Sequence, residues 1–180
     1  MKKEIQINKL IKAEMNREYF FVKGNIPIDT KYFIEKINQG VSESDNNSYK
    51  TNVVGPMTHY KYFVEDDKFF EILLPMLDLI DSYKFKECDK YELKEAWGYI
   101  EAFSHYTMEH RHLPAFLSGA VMLTDHSQSL YFKELDETVD SKAGNFVLFS
   151  SFLAHSNKRN ITKEPRYGLS FNIYPNNEKK

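Results

Sequence analysis

Three histidines and one arginine are the residues of this chain whose types and order could do chemistry. In "MEHRHLPAFLSGAVML", residues 108–123, His110 and His112 stand one residue apart just before an apolar run. On an extended chain they fall on the same side, because strand side chains alternate with period two. His155 comes 42 intervening residues later, at the end of the apolar part of "GNFVLFSSFLAHSNKRN", and Arg166 opens "RYGLSFNIYP" eleven residues beyond it. Imidazoles aimed together are the donor set of a transition metal. Arginine offers a planar, permanently charged partner for a carboxylate. Taken singly, each reads as a strand-end or surface residue; the case rests on their order and on their coincidence with strand ends.

Those strand ends come from a change of pattern at Trp97. Five runs rich in aromatic and β-branched residues, "AWGYIEAF", "AFLSGAVML", "QSLYFKEL", "GNFVLFSS" and "RYGLSFNIYP", alternate with polar or turn-forming pieces. They predict an antiparallel sandwich or jelly roll. On the last run, Arg166, Gly168, Ser170 and Asn172 share one face, and Tyr167, Leu169, Phe171 and Ile173 share the packing face. The first half is mixed. "REYFFVKGNIP" predicts a strand ending at Gly24 and Pro27. "IDTKYFIEKINQG" predicts a helix capped by Asp29 or Thr30 and stopped by Gly40. "VSESDNNSYKTN" reads as a loop, and 66–85 as a helix that Pro75 should kink or divide. The expected fold class is mainly β with α (α+β). It is one domain over 1–180, with a helical or mixed part to about 95 bracing a jelly-roll core over about 96–176.

The order His-x-His, distal His, then an Arg opening the terminal strand resembles the iron(II)- and 2-oxoglutarate-dependent oxygenases. The likeness is greatest to the prolyl-hydroxylase-like branch and its small bacterial and phage members. Its carriers are "HYTMEHRHLPAFLSGAVML", "GNFVLFSSFLAHS" and "RYGLSFNIYP", within Trp97 to Pro175. The resemblance implies a double-stranded β-helix and a hydroxylase that converts 2-oxoglutarate to succinate and carbon dioxide. It also implies Fe(2+) on His110, His112 and His155, with Arg166 clamping the far carboxylate of 2-oxoglutarate. Ser170 and Tyr106 are secondary candidates for contacting that cosubstrate.

One position departs from the family pattern: His112 stands where Asp or Glu is usual. A neutral imidazole there leaves ferrous iron about one unit more positive than a carboxylate would. Alternatively, His112 is not a ligand and water or a carboxylate elsewhere, such as Glu101 or Glu134, completes the shell, while adjacent Glu109 points to the other face. Two further readings stay open: a cupin-like three-His metalloenzyme that uses no 2-oxoglutarate, and a catalytically inactive jelly-roll binding protein.

Composition narrows the partners. With 24 basic against 26 acidic residues, no strong field points to nucleic acid or an anionic membrane. A single cysteine, Cys88, forbids an intramolecular disulfide and reads as passive. The N-terminal "MKKEIQINKLIKAEMN" lacks the uncharged core of a signal peptide, and no run approaches a membrane span. The expectation is a cytoplasmic protein of a bacterium or phage-infected cell. Its partners would be 2-oxoglutarate, O2 and a primary substrate (protein side chain, small molecule or nucleobase) that the sequence does not name, and oligomeric state is likewise unspecified. His59 reads as structural, His126 as a solvated turn residue, and His105 as loop or substrate rim. The polar loop and "GPMTHYKYF" are candidates for the substrate lid.

Overall fold

A computed structural model describes residues 4–15, 17–43, 51–83 and 90–176. Cys88, most of the "VSESDNNSYKTN" loop and the last four residues lie outside them. Eleven strands and two helices are present among the described residues. They are β1 (Gln6–Met15), β2 (Arg17–Asn25), α1 (Thr30–Glu43), β3 (Val53–Val54), α2 (Asp67–Ser82), β4 (Tyr91–Glu101), β5 (Tyr106–Thr107), β6 (Leu117–Met122), β7 (His126–Phe132), β8 (Glu137–Ser141), β9 (Asn145–Ser150), β10 (His155–Asn157) and β11 (Arg166–Pro175). A six-stranded antiparallel sheet runs β1-β2-β9-β6-β11-β4 and a three-stranded one runs β10-β7-β8. The mainly-β expectation with helices as braces therefore holds.

Alternation along the large sheet makes two cores. On one face, Phe20, Val22, Phe146, Leu148, Leu169, Phe171 and Ile173 pack with Phe33 and Ile37 of α1 and Phe69, Ile72 and Met76 of α2. On the other, Phe21, Met122, Val147 and Phe149 meet Leu130, Phe132 and Val139 of the small sheet. Each fully buried large apolar side chain contributes on the order of 1.5–3 kcal/mol, so β9 is held on both faces and β11 on its helix-covered face.

The N-terminal half differs from its sequence reading in three ways. Its first fifteen residues include β1, which forms a hairpin with β2 and extends the large sheet; the alternating charge in this segment is a strand pattern. Helix α1 begins as expected, with Asp29 Oδ1 accepting from the Tyr32 amide at 3.1 Å, but passes through Gly40. Gly40 is there for close packing: a Cβ would fall 2.6 Å from the Tyr62 ring. Helix α2 is capped by Asp66, whose Oδ1 accepts from the Phe69 amide at 2.9 Å, and runs unbroken through buried Pro75. Burial of Phe69, Ile72, Leu73, Met76 and Ile80 on both sides of Pro75 outweighs the lost backbone bond. No described helix is long and apolar enough to cross a membrane.

Candidate metal centre

His110 lies just before β6 and His155 opens β10. They are joined by a reciprocal backbone bridge, each amide donating to the other's carbonyl at 3.1 Å. Two residues on, the His112 amide donates to the Ser151 carbonyl at 2.8 Å. These bonds tie the His-x-His segment to the β9–β10 connection, so residues 43 apart in sequence face one another. The imidazole nitrogens then converge: Nε2 of His112 is 3.1 Å from Nε2 of His110 and 3.2 Å from Nε2 of His155. All three ligand atoms lie within 4.8 Å of one another.

The donor set fits a metal. His110 Nδ1 is 2.8 Å from the Met108 carbonyl and His155 Nδ1 is 3.2 Å from the Leu153 carbonyl. A carbonyl only accepts, so each Nδ1 carries the proton and each Nε2 presents a lone pair. His112 is hydrogen-bonded to the Asn172 side chain. Burial is the main cause that lowers the pKa of all three rings, that of His112 to about 3 and that of His155 well below its ordinary value. The rings are therefore neutral at pH 7. Neutral rings with their lone pairs crowded together repel unless a cation sits among them. Two nitrogens at metal-bond length from one ion are separated by about 2.8–3.4 Å between octahedral and tetrahedral angles, a range that holds both short edges.

Among the described residues, no carboxylate joins the cluster. Glu134 accepts from Arg111 at 2.7 Å and from the Ala154 amide at 3.0 Å, and Glu109 pairs with Lys133. Glu101 is fully buried and bonded to Arg166. Aromatic rings hold the imidazoles in place. Trp97 stacks on His112 at 6.0 Å, Phe132 stacks on His155 at 5.3 Å, and the Phe149 edge touches both.

Two hollows meet at the cluster. An outer cleft of ≈ 320 Å³ is lined by His110 and His112 together with Thr51, Asn52, Met57, Tyr60, Glu95 and Trp97. Both segments read as lid candidates therefore border it. An inner cavity of ≈ 30 Å³ runs from the three histidines to Arg166, with Ser170, Tyr99 and Asn157 on its wall. Arg166 and Ser170 thus share a face, as the alternation predicts, while Leu169, Phe171 and Ile173 pack behind them.

Tyr106 differs from its expectation. It lines neither hollow, and its ring lies 4.7 Å from the Arg159 guanidinium carbon. The tyrosine that faces the inner cavity is Tyr99, with Arg166 5.3 Å from its ring. Its phenol is kept protonated chiefly by burial, and Gly168 makes room for it, since a Cβ there would fall 2.3 Å from Tyr99 Oη. Trp97, Tyr99 and Glu101 alternate on β4 opposite β11, a period-two signal carried by "WGYIE". His126 also departs from a solvated turn: it begins β7, and its Nε2 is 2.9 Å from Thr162 Oγ1. His105 is a loop anchor, with Nδ1 accepting from the Ala102 amide at 3.1 Å. His59 is exposed, and its Nδ1 accepts from the Lys61 amide at 3.3 Å.

Two facing antiparallel sheets with helices on the outer face form a double-stranded β-helix, a fold also seen in solved 2-oxoglutarate-dependent oxygenases. Solved structures bear this fold out over most of the chain. A Pseudomonas putida prolyl-4-hydroxylase superposes with a TM-score of 0.65 at 12% identity, covering 87% of this chain and 92% of its own. The viral collagen prolyl hydroxylase of Paramecium bursaria Chlorella virus-1, in complex with 2-oxoglutarate, gives 0.61 at 14% identity, covering 80% and 88%. The α-ketoglutarate-dependent epimerase SnoN of nogalamycin biosynthesis gives 0.64 at 15% identity, covering 86% and 77%. No protein-family model matches the chain, and no curated protein matches it by sequence.

Proposed function

We propose that this chain is a non-haem iron oxygenase that couples oxidative decarboxylation of 2-oxoglutarate to hydroxylation of a second substrate. The observation that carries the reading is the convergence of three neutral imidazole nitrogens at the head of a cavity whose foot is a buried arginine. His110, His112 and His155 would hold the iron, and Asn172 and the two backbone carbonyls would fix their tautomers. Ferrous iron so held supplies a site where a 2-oxo acid and dioxygen react. Arg166 and Ser170 would receive the far end of the 2-oxo acid, and Trp97, Phe132 and Phe149 keep water from the rings. The outer cleft would admit the primary substrate beneath Met57 and Tyr60. The balance is R–H, 2-oxoglutarate and O2 to R–OH, succinate and carbon dioxide.

The test is calorimetric titration of 2-oxoglutarate into metal-loaded protein, followed by measurement of succinate release with ferrous iron. Saturable binding that is lost in His155→Ala supports the reading; no binding to the loaded wild type overturns it. The Glu101–Arg166 pair favours a second reading, a three-His metalloenzyme that takes no 2-oxo acid. That reading requires metal binding with 2-oxoglutarate indifferent to Arg166.

A further inference from the structure

The arginine at the foot of the cavity already has a carboxylate. Arg166 and Glu101 sit opposite one another across the β4–β11 ladder, both fully buried. Arg166 Nη1 donates to Glu101 Oε2 at 2.6 Å. Thr107 Oγ1 donates to Glu101 Oε1 at 2.6 Å, and Asn157 Nδ2 lies 2.9 and 2.8 Å from the two oxygens. Asn157 is itself fixed, its Oδ1 accepting from the Thr107 amide at 2.6 Å. The carboxylate is therefore matched on both oxygens. Other Arg166 donors meet neutral acceptors, Ser141 Oγ and Met122 Sδ, each at 3.3 Å, and the guanidinium also bonds the Tyr99 phenol.

The placement of this acid changes the local charge. In a site with two histidines and a carboxylate on the metal, an arginine without an acid of its own is an unmatched cation. Here the metal-binding cluster has no carboxylate, and an acid instead stands beside the arginine. The summed charge of the site is the same in both cases, but the foot of the cavity is neutral. An incoming tail carboxylate would share Arg166 with Glu101 and feel its like charge in a dry setting, where such repulsion is strong. The inner cavity is also narrow, at ≈ 30 Å³.

We propose that Glu101 is a built-in carboxylate that levels cosubstrate choice. The cavity accepts a 2-oxo acid with a short uncharged tail, such as 2-oxobutyrate, about as well as it accepts 2-oxoglutarate. The inference rests on the 2-oxo acid reading above. With 2-oxobutyrate the C1–C2 bond breaks and carbon dioxide leaves. One oxygen atom enters propanoate and the other enters R–OH. The 2-oxo acid and the substrate each give up two electrons, and O2 takes four.

The experiment uses the full chain loaded with Ni(II), which binds without turnover. Both acids are titrated calorimetrically into wild type and Glu101→Gln. The two dissociation constants in wild type should lie within about tenfold, and Glu101→Gln should shift their ratio toward 2-oxoglutarate by about tenfold or more. That shift should come from tighter 2-oxoglutarate with 2-oxobutyrate unmoved, which general loosening would not produce. The inference is overturned if wild type prefers 2-oxoglutarate by more than about tenfold, or if the variant leaves the ratio unchanged. The wild-type ratio needs no variant to fold. Binding of neither acid would remove the 2-oxo acid reading itself and the inference with it.

Discussion

Asn172 does for His112 what the Met108 and Leu153 carbonyls do for His110 and His155. It contacts the ring while its own amide is held, Oδ1 accepting from Ser118 Oγ at 2.7 Å and Nδ2 donating to Glu95 at 2.6 Å. Losing such an outer partner typically costs about 10–100-fold in metal affinity. We predict a loss of that size for Asn172→Ala in a competition titration against a chelator, with all three histidines still present; unchanged affinity would remove Asn172 from the site. The rings also set an acid response. Their folded pKa values are lowered, chiefly by burial, whereas an unfolded imidazole titrates near its ordinary value of about 6.5. Below that pH the unfolded chain takes up protons that the folded metal-free protein refuses, so stability falls with falling pH. For His112, lowered to about 3, the loss by pH 5 is about 2 kcal/mol. Thermal melts of metal-free protein between about pH 7.5 and 5 should show the decline, and His112→Gln should flatten it.

Strand β11 carries the site and the core on opposite faces, so the two can be perturbed separately. Phe69 of α2 packs edge-on against Phe171 at 5.7 Å, behind the face that bears Arg166 and Ser170. Truncating a buried Phe typically costs about 3–5 kcal/mol. We predict that Phe69→Ala lowers the unfolding free energy by that order in denaturant melts, while the folded variant keeps its metal affinity within about twofold. A parallel collapse of metal binding would mean that the helix side of the strand also sets the site. The same two-faced strand explains what the sequence discloses. "RYGLSFNIYP" has a clean period of two, so the partition of Arg166 and Ser170 from Leu169 and Phe171 is legible in the residue pattern alone. The short strands β8 and β10 are not legible, because "ETVDS" and "HSN" lack an apolar run and are held by pairing with β7. Glu101 is legible as a candidate acid but not in its partner, because the pairing with Arg166 spans 65 residues and depends on β4 lying beside β11.

At the scale of the molecule, the histidines join parts of the chain that also meet through the shared apolar core, the His110–His155 backbone bridge and the Lys23–Glu137 ion pair. His110 and His112 precede β6 of the large sheet, and His155 begins β10 of the small one. An ion bound by all three therefore ties the two sheets together at one end of the core that Phe21, Phe132 and Phe149 fill. Unfolding must release it, because the unfolded chain does not hold the three rings in one place. A ligand at about a thousand times its dissociation constant stabilises the folded state by about 4 kcal/mol. In a chain of this size each kcal/mol moves the midpoint by about 2–4 °C. We predict that stripping metal with a chelator lowers the melting midpoint by about 10 °C, and that nickel or ferrous iron restores it. His155→Ala should melt near the stripped protein and respond little to metal, because its loss leaves ligands from only one side of the sandwich. Equal metal-induced shifts in wild type and His155→Ala would show that the ion binds without bridging the sheets, and the three-point site would be wrong.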